Sequence, residues 1–373
     1  MVDMNGQWIG KITGSNNGTL CLNIEDFNEG KGSGTLLLID NDIKLPSFIA
    51  QLDVVKTGEC LEITGSKLEC LVIDSFEKAE DSYAYLKRNY QPGVQLPNTF
   101  KGIANSDGLG LRGTWDSTIG TAGSFGLFKY DGKIRYDNTP VSCQTWEEFK
   151  ANLTDLKHKE LLYRGQSDSD WGLRTSFHRT GRADLAKYFK TDIPKLYRHI
   201  NAVTGLTFDL NNEEDLGSLM YLAQHHGYPT PLLDWTYSPY VAAFFAFSGV
   251  KNPEKDQNVR IYIFDHTSWA DDTLQVKSFK SHGFTLTFSE LLASGNERAL
   301  PQQAVTTFSN VDWIEAWIGS NADNEPGKYL KYYDIPASER NNVMADLRHM
   351  GITASSLFPG LDGICQDLKE RYF

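Results

Sequence analysis

The chain has 373 residues, 40% of them hydrophobic, which is material for more than one core when a typical domain takes roughly 100–200 residues. A formal net charge of -12 opposes long-range attraction to nucleic acid or anionic membrane, and no apolar stretch approaches the roughly 20 residues of a membrane span. Cys21, Cys60, Cys70, Cys143 and Cys365 are widely spaced with no C-x-x-C pair, a pattern that argues against a disulfide framework or a zinc site.

The opening residues Met1 to Gly6 contain no basic stretch followed by an apolar run, so no secretory leader is expected and a reducing cytoplasm is the expected location. Residues 1–138 carry short β-prone runs such as Thr35 to Ile39 and Cys70 to Ile73, separated by Gly, Asn, Asp and Ser clusters. This predicts an all-β domain, a barrel or a sandwich, that binds a partner or a ligand. Gly6-Gln7-Trp8 and Gly113-Thr114-Trp115 each begin a strand pattern punctuated by glycine, and such a Trp can plug one end of a small barrel. One helix is expected here, over 77–90. Asp137-Asn138-Thr139-Pro140 reads as a turn or linker, placing the domain boundary near residue 140. Thr145 then caps a helix beginning Trp146-Glu147-Glu148.

Leu161-Leu162-Tyr163-Arg164-Gly165-Gln166 is an apolar run ending in a charge and a glycine, and an Arg at the mouth of a buried strand calls for an anion or a carboxylate. Between Lys157 and Arg198 ten Lys/Arg face five Asp/Glu, a basic island that can meet phosphates or form a solvated face. A helix is predicted over 213–226, a short strand over Leu232 to Thr236, and an N-cap at Ser238 followed by Pro239. The next helix, Tyr240 to Phe247, is apolar all round and therefore buried. Asp234 falls on the strand beside Gln224 and His225, with Arg164, His225 or a helix N-terminus as its candidate partners. His225 and His226 point about 100° apart on a helix and do not chelate one metal easily, so no metal site is expected. Toward the C-terminus, 338–349 reads as an amphipathic helix, Leu357 to Gly360 as a packing clasp, and 364–372 as a final docking helix.

Tyr163-Arg164-Gly165-Gln166, then Gln224-His225-His226-Gly227-Tyr228-Pro229-Thr230-Pro231-Leu232-Leu233-Asp234-Trp235-Thr236, then Leu357-Phe358-Pro359-Gly360-Leu361-Asp362-Gly363 resemble the FRG domain family in order and spacing. The resemblance spans roughly residues 145–370. Pro231 stands where the family commonly has Arg, and Ala304 where Gly is usual. FRG domains are in turn similar to ADP-ribosyltransferases. The resemblance implies an α+β chain in which the N-terminal β domain precedes an ADP-ribosyltransferase-like split β-fold with flanking helices, over residues 145–373. It implies NAD as substrate, held by Tyr163, Arg164, Gly165, Gln166, Gln224, His225, Asp234 and Trp235. Within that reading Arg164 forks onto the pyrophosphate, Trp235 stacks on the nicotinamide and Thr236 donates to it. The place of the catalytic glutamate falls to Gln303 or to Glu297, and only a carboxylate can stabilise the developing oxocarbenium charge.

The expected function is a mono-ADP-ribosyltransferase-like toxin or antiviral-defence effector, acting on RNA or DNA ahead of protein, with an antitoxin or sensor protein on the N-terminal domain. Two other readings compete with it: a binding module without catalysis, for a nucleotide-like or protein ligand, and a nuclease built around Asp234 and His225.

Overall fold

The computed structural model describes residues 3–106, 108, 110–130, 141–143, 145–156, 160–276, 278–289, 298–322 and 325–373. The expected linker at 137–140 and Glu297 lie outside the described residues.

Eight antiparallel strands close into a barrel: β1 (Gly6–Gly14), β2 (Gly18–Asn28), β3 (Lys31–Asp40), β4 (Phe48–Thr57), β5 (Cys60–Cys70), β6 (Thr99–Ser106), β7 (Gly110–Ser117) and β8 (Ala122–Lys129). The barrel alternative is therefore the correct one. Closure depends on glycine where β8 meets β1, because a Cβ on Gly10 would stand 2.0 Å from the Gly126 carbonyl oxygen. Trp8 is fully buried and donates its indole N–H to the Met4 carbonyl at 2.9 Å, filling one end of the barrel. Alternate residues of the strands, among them Leu22, Leu36, Leu52, Ile63 and Leu127, form its core.

The helix expected over 77–90 is shorter, α1 (Ser82–Asn89), capped by Asp81. Lys78 instead pairs with Leu71 in an isolated bridge. Cys70 ends β5, so the predicted run from Cys70 to Ile73 is not a strand of its own.

The C-terminal region is a seven-stranded sheet in the order β13-β14-β11-β10-β12-β15-β9. In chain order its elements are β9 (Val141–Ser142), α2 (Trp146–Leu153), β10 (Leu162–Gln166), α3 (Ser176–Arg179), α4 (Leu185–Lys187), α5 (Ile193–Thr204), α6 (Glu213–His225), β11 (Leu232–Thr236), α7 (Pro239–Ser248) and β12 (Asn258–Phe264). There follow α8 (His266–Asp272), β13 (Leu286–Ser289), β14 (Ala304–Ser309), α9 (Ile314–Ser320), β15 (Leu330–Pro336), α10 (Arg340–His349), α11 (Ala354–Leu357) and α12 (Leu361–Tyr372). One face of the sheet packs on α2, α7 and α10 through Tyr163, Ile261, Ile263 and Ile335. The other buries Leu162, Leu233, Trp235 and Phe264 with Trp269 of α8 and Ile314 and Ile318 of α9. The caps predicted at Thr145 and Ser238 are present, each side chain accepting from the backbone N–H three residues on.

The central pairing is the weakest. β10 and β11 share the single residue pair Tyr163–Thr236, whereas β10 pairs with β12 through five residues and β11 with β14 through five. The sheet thus opens between β10 and β11 beyond that pair.

The barrel is fastened to the C-terminal region. Glu25, almost fully buried, receives Arg182 Nε at 3.1 Å and the backbone N–H groups of Ala183 and Asp184. Lys187 reaches Asp26 at 2.5 Å. Gln7 donates to the Asn310 carbonyl and accepts from the Asp312 N–H. The Tyr130 ring lies tilted against Trp313, and Arg174 lies over the Tyr130 ring.

His178 lies in this junction and supplies a pH prediction. It is fully buried, its Nδ1 is 2.7 Å from the Thr175 hydroxyl, and its Nε2 has no partner among the described residues. Burial lowers its pKa to about 4, with Asp312 opposing and Arg174 adding to the shift. An unfolded histidine titrates near ~6.5, so between these values only the unfolded chain takes the proton. Stability present above pH 6.5 is therefore lost as pH falls toward 4. Urea unfolding at pH 7 and pH 5 should show a drop that is smaller in His178→Asn, and an identical drop in the two proteins would refute this assignment.

Candidate functional site

The opening between β10 and β11 forms one wall of a cavity of about 670 Å³, closed on its sides by α6 and α7. That volume lies within the roughly 300–1,000 Å³ usual for small-molecule sites. Of the expected site residues, Tyr163, Arg164, Gly165, Gln166, Gln224, His225, Asp234, Trp235 and Thr236 all line it.

Arg164 spans the opening and donates from Nη1 to the Asp234 carbonyl at 2.5 Å, which answers what an Arg at this strand position is for structurally. Its Nε is buried and without a partner among the described residues, as is Gln166 Oε1 two residues along the same strand. Burial lowers the Arg164 pKa to about 10; Asp234 opposes this and Arg179 adds to it. The group is still a cation at neutral pH.

The Asp234 side chain belongs to a short chain of hydrogen bonds. Gln224 Nε2 donates to Asp234 Oδ1 at 2.6 Å, and the Thr230 hydroxyl donates to Gln224 Oε1. The amide is thereby fixed with its N–H₂ toward the carboxylate. This uses the last turn of α6, where the helix stops at His225 and Gly227 adopts φ +83°. His225 packs edge-on to Tyr221 at 4.5 Å. Burial keeps its pKa below the usual histidine range, opposed by Asp234 and reinforced by Arg298 and His226.

Gly165 has a packing task. A Cβ there would stand 1.9 Å from the Ala242 carbonyl, so this glycine lets α7 approach the backbone of β10. Ala242 and Ala246 of α7 are small for the same contact and are fully buried.

Three expected roles need correction. Trp235 is 2% exposed, packs on Phe264 with ring centroids 5.4 Å apart and donates to the Thr307 hydroxyl, so its ring faces belong to the core. The Thr236 hydroxyl donates to the Gln302 carbonyl and accepts from the Ser238 N–H, which engages its only donor. Gln303 is not on strand β14 but just before it, exposed and at φ +47°, and it does not line the cavity. Its neighbour Gln302 does line it, with Nε2 donating to the Leu357 carbonyl at 3.0 Å. Of the basic island, Arg174 pairs with Asp312, Arg182 with Glu25 and Asp192, and Lys187 with Asp26, while Lys190, Lys195 and Arg198 are exposed. Arg164 and Arg179 are the island members that line the cavity.

Sequence reading missed Arg179, Trp171 and Phe358 as lining residues. Trp171 is 57% exposed at the cavity, an unusual position for a tryptophan. Phe358 belongs to the predicted clasp, packing on Phe244 and Phe245 while also facing the cavity. No group of three or more His, Cys, Asp or Glu arranged to hold a metal occurs among the described residues.

The FRG domain family model matches residues 159–256, the segment that contains β10, α6, β11 and α7. This supports the FRG family for that segment. No curated protein matches the chain. Solved structures with similarity to it include two redesigned β-barrels, b11L5F_LGL and mFAP1 bound to DFHBI, and Rv2717c from M. tuberculosis. Each is 10% identical and covers 34% of this chain, and the matches take in 92%, 94% and 92% of those chains. Their TM-scores are 0.24, 0.23 and 0.18, which establish no common fold. No helix is long and apolar enough to cross a membrane among the described residues.

Proposed function

We propose that the FRG region binds NAD in the opening between β10 and β11 and transfers ADP-ribose to a macromolecular acceptor. The observation that carries the binding half of this reading is an imbalance of charge. Two guanidinium groups, Arg164 and Arg179, face one cavity whose described lining contains a single carboxylate, Asp234, and Arg164 Nε has no partner there. A buried cation of this kind favours an anionic guest, and a guanidinium meets a diphosphate with paired donors. Trp171, Phe245 and Phe358 supply aromatic surface for the ring systems of a dinucleotide. The transfer half rests on the resemblance to ADP-ribosyltransferases, with a toxin or antiviral-defence role and an antitoxin or sensor on the barrel as its further implications.

A second reading has its own support. Gln303 points away from the cavity and Glu297 lies outside the described residues, so Asp234 is the carboxylate at hand, and Gln224 already holds one of its oxygens. This favours a binding module that holds a nucleotide without cleaving it.

One experiment separates the two. The full chain is incubated with NAD labelled in the adenylate half, alone and with total RNA, DNA or cell protein, and nicotinamide release is followed. Label moved onto one acceptor class, and lost in Arg164→Ala, supports transfer. Saturable NAD binding with neither release nor transfer supports the module, and absence of binding sinks both.

A further inference from the structure

The barrel has two unlike ends. Trp8 and Met4 fill the end where β1 starts, both buried to within 1%. At the other end, where Ile12, Phe48, Phe100 and Trp115 point inward, lies a second cavity of about 320 Å³. Residues 93–97, the connection that follows α1, form part of its wall. It shares no lining residue with the cavity over the split sheet.

We infer that this open end of the barrel is a binding site for a small, uncharged aromatic molecule. The lining contains no Asp, Glu, Lys, Arg or His, so a charged guest would lose its hydration without gaining a counter-charge. Apolar walls of this kind gain free energy when an apolar guest takes the place of water. The preference for a ring follows from the walls: Phe100 and Trp115 are stacked with centroids 5.5 Å apart, with Phe48 beside them. The Trp115 N–H is directed outward to the Thr13 carbonyl at 3.2 Å, which leaves ring carbon rather than a donor toward the guest. Gln95 at the rim suits an orienting role, whereas Asn16 and Thr121 are already engaged with Asp40 and Ser117. Ile119, 39% exposed, completes an apolar lip.

The test uses the full chain and N-phenyl-1-naphthylamine, a neutral aromatic probe that fluoresces when it leaves water. Saturable enhancement is expected. Val94→Trp, which fills the mouth from its wall, should weaken it by about tenfold or more. Ile119→Lys, at the exposed rim where folding is least at risk, should weaken it in the same direction. Far-UV circular dichroism melts check that each variant is folded. The double variant Leu361→Glu/Leu368→Glu breaks up the exposed apolar face of α12 and should leave binding unchanged, as should Arg164→Ala in the other cavity. An anionic naphthalene sulfonate should bind at least about tenfold more weakly than the neutral probe. Absence of saturable binding, full affinity in both folded mouth variants, loss in the α12 or Arg164 variants, or equal binding of the anion would each overturn the inference.

Discussion

Arg260→Met should cost the protein about 3–5 kcal/mol of stability, the usual consequence of leaving one partner of a buried ion pair alone. Arg260 is 1% exposed on β12, and its guanidinium meets Asp334 of β15 with both arms, at 2.6 and 2.7 Å. It also lies 3.8 Å from the centre of the Tyr332 ring. Burial by itself would lower the Arg260 pKa, but the Asp334 carboxylate more than offsets this and holds it above its ordinary value. Methionine matches much of the arginine stem and keeps the packing, so the loss reports on the stranded Asp334. Arg260→Met/Asp334→Leu removes both charges and should be less destabilised than either single variant predicts. The measurement is a double-mutant cycle by urea unfolding. A double variant as unstable as the sum of the two singles would show that packing, and not the pair, governs the site.

This pair shows why some features were legible in the sequence and others were not. Arg260 sits in Asn258-Val259-Arg260-Ile261-Tyr262, where nothing local tells that the charge is buried; its partner is 74 residues away. Local signals did survive folding. The Ser238-Pro239 start of α7, the stop of α6 ahead of Gly227 and the bounds of β11 follow from capping and backbone preferences that act within one turn. Closure of the barrel was less legible, because glycine punctuation is compatible with a barrel or a sandwich, and only the β1–β8 pairing decides.

The site divides in the same way. Arg164, Gln224, His225 and Asp234 were identifiable as a group because their segments carry the family pattern, and the fold brings all four to one cavity. Their tasks were not identifiable, because strand alternation sets them. Asp234 points into the cavity and Trp235, one residue on, therefore enters the core on the opposite face. Gln302 and Gln303 are separated likewise: the positive φ at Gln303 turns it outward just before β14 begins. Arg179 was counted only as part of a basic island, three of whose members, Arg174, Arg182 and Lys187, are held by carboxylates at the barrel junction.

The cavity arginine leads to the second large effect. Arg164→Ala should weaken NAD binding by about 10–100-fold, the range set by losing one or two hydrogen bonds to a charged group. The same change should alter stability by about 1 kcal/mol or less. The two expectations differ because Arg164 makes one hydrogen bond to the Asp234 carbonyl while its buried Nε is left unsatisfied, so its removal discards a donor that gains nothing in the empty protein. A residue present only to hold β10 to β11 would give the reverse pattern, with unfolding affected and ligand affinity in the folded fraction retained. Arg164→Lys keeps the charge and loses the fork, and should fall between wild type and alanine. Burial lowers the Arg164 pKa without taking it near neutrality, so the guanidinium keeps its charge and binding should hold unchanged across neutral pH. Isothermal titration of NAD and of ADP-ribose into the three proteins measures the affinities, and urea unfolding measures the stabilities. Equal affinity for wild type and Arg164→Ala would remove the charge argument on which the nucleotide reading stands.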